Sequence, residues 1–352
     1  MKKILLIFLA LIIVLYSGGC SSENQVTTQP SQPQKLIVFK ADDENIGAFE
    51  LDIDLIKHSI SLDTEALYEI ADSSNFRNTR IFPQYMSSNV LILRDSPVSS
   101  KYENVQISED DNTLYFEEYT LQFNDENYSF QIYKNGESVG GDTTLIHENV
   151  KMVPTCFFVD EEGKVAILCM TSASLIDTEM VTLLYTENDG SFALEKIYEY
   201  PTIWEEYDIS KTQCPNYMHN YTNVVANLAH GSFLYNETTK IFEISPYDSS
   251  VECILEEKDI TSDMPYLDTY REYYSFFSSV GYQDGYYVAT FPALNSLAGA
   301  YAVFYSDEGE YMGCVLCGND NITLFDKENA ELDKIEGSFV PQIYIPTYYT
   351  NK

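Results

Sequence analysis

From residue 35 onward the apolar residues fall in short runs broken by turn residues, the rhythm of strands and not of helices. Residues 156–159 and 164–170 flank Asp160-Glu161-Glu162-Gly163, and residues 180–186 and 191–198 flank Glu187-Asn188-Asp189-Gly190. Two hairpins in succession predict a four-stranded antiparallel unit. A comparable unit spans residues 273–326, with turns at Gln283-Asp284-Gly285 and Asp307-Glu308-Gly309. A shorter one spans 223–257 and a more irregular one 79–148. Helical spacing is scarce; Ala66, Leu67, Ile70 and Ala71 within 63–72 show it, and the same segment equally suits an outer strand.

Several middle strands are apolar at every position, among them Val165-Ala166-Ile167-Leu168-Cys169-Met170 and Ala300-Tyr301-Ala302-Val303-Phe304-Tyr305. An antiparallel sheet with one wet face alternates instead, so these sheets are expected to be covered on both sides. Blades of a β-propeller meet that condition, because each lies between two neighbours. Residues 35–352 divide into six units of about 53 residues, with five or seven as alternatives. The terminal segments 35–40 (KLIVFK) and 340–349 (VPQIYIPTYY) are both strand-like and suit closure of a ring. A pair of β-sandwich domains joined near residue 150 is the alternative architecture. Residues 201–221 and 258–269 read as insertions between blades.

The N-terminus reads MKKILLIFLALIIVLYSGGC: a basic start at Lys2 and Lys3, an apolar run from Ile4 to Tyr16, then small residues up to Cys20. This is the three-part pattern of a secretory signal, over 1–19, and its apolar run is short for a bilayer of about 30 Å. Its end on Cys20 resembles the bacterial lipoprotein signal, and the resemblance implies that Cys20 receives a lipid and becomes the mature N-terminus. An uncleaved signal anchor would leave the chain on the same side of the membrane. Residues 20–34, with Pro30, Pro33 and Gln, Ser and Thr throughout, read as a disordered tether reaching up to about 40 Å. Together with the strand rhythm of 35–352, taken as one domain, the chain resembles secreted bacterial β-propeller lipoproteins, which implies an extracytoplasmic, membrane-anchored body. The Gly-His and Trp-Asp signatures of the WD40 family do not occur, and Trp204 is the single tryptophan.

Charge narrows the functions. Lys plus Arg number 20 against 55 Asp plus Glu, a net charge of −35, and removal of Lys2 and Lys3 with the signal makes it −37. Such a field repels nucleic acid phosphates and anionic lipid surfaces and attracts cationic partners.

Gly136-Glu137-Ser138-Val139-Gly140 matches G-x-S-x-G, but a nucleophile elbow needs a helix after the serine, and Gly141-Asp142-Thr143-Thr144 opens none. The four histidines show no metal-binding spacing. Cys314-Val315-Leu316-Cys317 is C-x-x-C in a strand-forming context, where residues three apart point to opposite faces, so two buried thiols are expected. If Glu162-Gly163 is a two-residue turn, Cys156 faces Cys169 and a disulfide can form; a three-residue loop breaks that register. Acidic clusters at 42–44, 109–111, 160–162 and 307–310 lack the spacing of a calcium loop and read as solvated hairpin tips, with weak loop-borne Ca2+ binding left open. No other cofactor is specified. The 29 tyrosines, with doublets at 273–274, 286–287 and 348–349, suit blade interfaces or exposed contact surfaces.

Two functions compete. The first is a membrane-tethered, non-catalytic binding or scaffold module for a cationic or neutral protein or glycan. The second is an extracytoplasmic glycan hydrolase with a carboxylate pair in the propeller channel. The acids sit in turns and no constellation has catalytic spacing, which favours binding, with no catalytic residue assigned.

Overall fold

The computed structural model describes residues 33–41, 46–70, 112–142, 150–171, 180–188, 191–200, 224–237, 240–256, 279–291 and 299–346, with short strands between 86 and 108 and at 146–147. Pro33–Lys352 forms one compact unit. Cys20 and most of the tether lie outside the described residues.

The described residues contain no α-helix and form six sheets. The first holds β1 (Gln34–Ala41), β2 (Ile46–Asp54), β3 (Ser59–Leu62) and β4 (Tyr68–Ile70). The second holds β5 (Met86–Ser87), β6 (Val90–Ile92) and β8 (Gln106–Ser108), while β7 (Val98–Ser99) joins the first through β4. The third is β9 (Thr113–Phe116), β10 (Tyr119–Asn124), β11 (Ser129–Lys134) and β12 (Glu137–Asp142). The fourth is β13 (Ile146–His147), β14 (Val150–Val159), β15 (Val165–Thr171), β16 (Met180–Asn188) and β17 (Ser191–Glu199). The fifth is β18 (Val224–Asn227), β19 (Ser232–Glu237), β20 (Lys240–Ile244) and β21 (Val251–Glu256). The sixth is β22 (Ser279–Gln283), β23 (Tyr286–Phe291), β24 (Ala300–Ser306), β25 (Tyr311–Cys317), β26 (Asn321–Asp326) and β27 (Glu331–Glu336). From the third sheet to the sixth, each strand pairs antiparallel with the next in sequence. The last strand, β28 (Phe339–Tyr344), pairs with β1 and so closes the C-terminus onto the N-terminal sheet. Residues 68–70 are a strand between β2 and β7, not a helix. The first described strand begins at Gln34, within the expected tether, and the Gln34 side chain is buried.

The apolar strands explain the stacking. Along β15, Val165, Ile167 and Cys169 pack toward the third sheet, while Ala166 and Leu168 pack toward the fifth. Along β24, Tyr301, Val303 and Tyr305 face the fifth sheet, and Ala300, Ala302 and Phe304 face the first. Successive side chains point to opposite faces of a strand, so a run apolar at every position is what a doubly covered sheet requires. Four interfaces thus follow in order: third on fourth, fourth on fifth, fifth on sixth, sixth on first. Stacking runs unbroken across residue 150, unlike a pair of sandwiches. At the fourth–fifth interface the fully buried rings of Phe158 and Phe233 lie 5.0 Å apart. Each burial contributes about 1.5–3 kcal/mol relative to exposure, and the ring pair about 0.5–1.5 kcal/mol more. This all-β, propeller-type arrangement matches the sequence reading; much of the region that decides the number of blades, 71–111, lies outside the described residues.

Candidate functional site

Strands β9, β14, β18 and β22 lie against one another from sheet to sheet, as the inner strands of adjacent propeller blades do. Between Thr113 and Phe116, Val150 and Val159, Val224 and Asn227, and Ser279 and Gln283 there is no Asp or Glu. Described carboxylates stand instead at hairpin ends, such as Asp160 and Asp307, and on other strands, such as Glu50 on β2 and Glu243 on β20.

A polar cluster sits in the groove between the fifth and sixth sheets. The hairpin joining β18 to β19 pairs Asn227 with Ser232, and Val225, Leu234, Glu243 and Glu252 lie in a row across β18 to β21. Leu234 on this row packs against the sixth sheet, so the same face carries Glu243 and Glu252 toward it. Glu243 Oε1 accepts hydrogen bonds from the Ser232 hydroxyl and from Asn227 Nδ2 at 3.3 Å, and it meets His230 Nδ1 at 2.9 Å. Asn227 is 2% exposed and its Oδ1 has no partner among the described residues. Across the groove, Tyr282 and Tyr287 form a T-shaped pair at 5.0 Å, and the His230 ring lies 4.8 Å from that of Tyr282. The Tyr282 hydroxyl donates to Asp307 Oδ1 at 2.8 Å. Burial pushes both phenols above the ordinary range; the Asp307 hydrogen bond adds to this at Tyr282, and the charges of Glu243, Asp307 and Glu252 add to it at Tyr287. The result is a half-open groove with carboxylates on one wall and tyrosine rings on the other, suited to a polar or cationic group with an apolar stem.

The acidic hairpin tips are more than solvated. Asp160 Oδ1 accepts the backbone N–H groups of Glu162 at 2.9 Å and Lys164 at 2.8 Å, and its Oδ2 accepts the Tyr247 hydroxyl at 2.8 Å from the fifth sheet. Within the sixth sheet, Asn329 at the β26–β27 turn accepts the Tyr311 hydroxyl at 3.1 Å. The clusters at 42–44 and 109–111 lie outside the described residues.

The possible Cys156–Cys169 bridge, conditional on a two-residue turn, does not form in this register. The β14–β15 connection is a three-residue loop, with Asp160 opposite Lys164 and Gly163 at φ +79°. Cys156 therefore faces Leu168, and a bulge at Thr155 sets Cys169 against Pro154. The two free thiols enter different interfaces, Cys156 toward the fifth sheet and Cys169 toward the third. Cys314 and Cys317 are buried on opposite faces of β25, and burial pushes each thiol up to about 12. In the G-x-S-x-G segment, Gly136 belongs to the tight turn before β12, and Ser138 Oγ accepts from Gln131 Nε2 at 2.7 Å inside the sheet. No helix follows it among the described residues. Of the tyrosine doublets only 286–287 is described, with Tyr287 buried and Tyr286 half-buried; the two side chains point to opposite faces.

Sequence reasoning missed the Glu243 groove. Two signals were present: a lone acid within the apolar run Ile241-Phe242-Glu243-Ile244, and a hairpin pattern of Asp or Asn followed five residues later by Ser. The pattern recurs at Asp54–Ser59, Asn124–Ser129 and Asn227–Ser232, each pair facing across its hairpin.

No family model matches the chain, and no curated protein matches it. Solved structures similar to it include a subtype N11 neuraminidase-like protein of A/flat-faced bat/Peru, at 9% identity over 94% of each chain with a TM-score of 0.36. A Synechocystis apocarotenoid oxygenase is 7% identical over 87% of this chain and 78% of its own, with a TM-score of 0.29. Prolyl oligopeptidase B from Galerina marginata is 11% identical over 90% of this chain and 44% of its own, with a TM-score of 0.32. At such scores these likenesses transfer neither activity nor ligand, and the fold assignment rests on the sheet order and stacking described above.

Proposed function

We propose that the protein is a lipid-anchored, extracytoplasmic binding module that holds a protein or glycan partner on its propeller body without cleaving it. The observation that carries this reading is the placement of carboxylates. Among the described residues β9, β14, β18 and β22 bear none, and Glu243 in the groove is engaged by Ser232, Asn227 and His230, with Glu252 beside it on the same face of the fifth sheet. The signal ending on Cys20 and the Pro-containing tether support the anchor and a reach away from the membrane, where a net charge of −37 speeds encounter with cationic groups. The test is incubation of the purified protein with a panel of polysaccharides. No cleavage is expected; cleavage abolished by an Asp or Glu substitution that leaves folding intact would establish the hydrolase instead. Radiolabelled fatty acid should enter the wild type and not Cys20→Ala, and equal labelling of both would refute the anchor.

A further inference from the structure

We propose that the groove between the fifth and sixth sheets is a recognition site for an organic cation, the ammonium or guanidinium end of a basic side chain on a protein partner. This rests on the binding-module reading and names the partner's chemistry. Glu243 and Glu252 face each other directly across β20 and β21. Like charges so placed destabilise a sheet, and a cation between them removes the penalty. Lys240, on the same strand, is 3.7 Å from Glu256 and so is committed elsewhere. Glu252 is exposed and has no ion pair or hydrogen bond among the described residues. The Asn227 Oδ1, buried and without a donor among the described residues, is a further acceptor beside Glu243. The opposite wall supplies the part-exposed ring of Tyr282, backed by the buried ring of Tyr287, and aromatic faces attract cations. Tyrosine rings facing carboxylates fit an organic cation better than a metal ion, which gains nothing from ring faces and prefers a shell of oxygen or nitrogen donors.

The experiment uses the full-length lipidated protein in detergent micelles and dye-labelled decapeptides alternating Lys with Gly or Arg with Gly, read by fluorescence anisotropy at 0.15 M salt. Binding of at least one peptide is expected, and the two arms separate ammonium from guanidinium. Glu243→Gln should weaken binding about ten-fold, the scale of a close charge pair, and Glu252→Gln, at an exposed position that does not affect folding, several-fold. Glu331→Gln, which removes one exposed charge on β27 far along the sixth sheet, should change affinity less than about two-fold. Equal losses in Glu252→Gln and Glu331→Gln would show attraction by the overall charge alone and overturn the site, as would wild-type affinity in Glu252→Gln. Failure to bind either peptide, with a neutral glycan bound and uncleaved, would overturn this site and leave the binding-module reading standing.

Discussion

Cys156, Cys314 and Cys317 show how burial alone sets a chemical property. Among the described residues no cation lies beside these thiols to favour the thiolate, and desolvation pushes all three up to about 12. The folded-state value lies above the unfolded value of about 8.5, so folding favours the neutral thiol. Its contribution is complete below about pH 8 and is lost as pH rises toward 12, because the unfolded chain ionises first. Between pH 8 and 10, below the ordinary range of tyrosine, each buried thiol should cost about 1–2 kcal/mol of stability. Urea unfolding across that window is expected to show a steeper decline in the wild type than in Cys314→Ala. Parallel declines would mean that the thiol is not buried as described.

The hairpins decide which side chains meet. A three-residue loop at 161–163 is selected because Asp160 captures the backbone N–H groups of Glu162 and Lys164, while Gly163 takes a positive φ. The residue types announced a turn there, but two- and three-residue loops share them, so the register that separates Cys156 from Cys169 was not legible. Glycines at different elements should respond differently to the same change. At Gly163 a Cβ has open space, and Gly163→Ala should cost about 1 kcal/mol through its backbone conformation alone. At Gly313 φ is +138° and a Cβ would lie 2.4 Å from the Phe325 carbonyl oxygen across the β25–β26 ladder, so Gly313→Ala should cost about 3 kcal/mol or more. Chemical denaturation of the two variants checks the order, and equal costs would contradict the close approach of those strands.

At the scale of the whole molecule, closure is the device that protects the sheets. Strand β28 adds to β1, and Phe339 and Ile343 enter the interface between the sixth and first sheets. Deleting residues 339–352 removes a ladder and two buried apolar side chains worth about 1.5–3 kcal/mol each. That approaches the whole stability of a domain, about 5–15 kcal/mol. The truncated protein is expected to lose its sharp thermal transition in circular dichroism. A transition as sharp and as high as that of the intact chain would show that the first sheet stands without its C-terminal strand.

The sequence by itself determined the strand content, the two-sided burial of β15 and β24, the strand character of the two ends and the opposite faces of Cys314 and Cys317. Each of these follows from local periodicity, because a strand alternates its side chains whatever it packs against. Tertiary structure alone decided the rest. The loop length at 161–163 set the register that parts Cys156 from Cys169. The stacking of the fifth sheet on the sixth brought Glu243 and Glu252 before Tyr282 and Tyr287, residues about 30 to 45 positions apart in the chain. Register depends on one residue more or less in a turn, and a groove between sheets depends on which faces meet, and neither quantity is carried by the local order of apolar and polar residues.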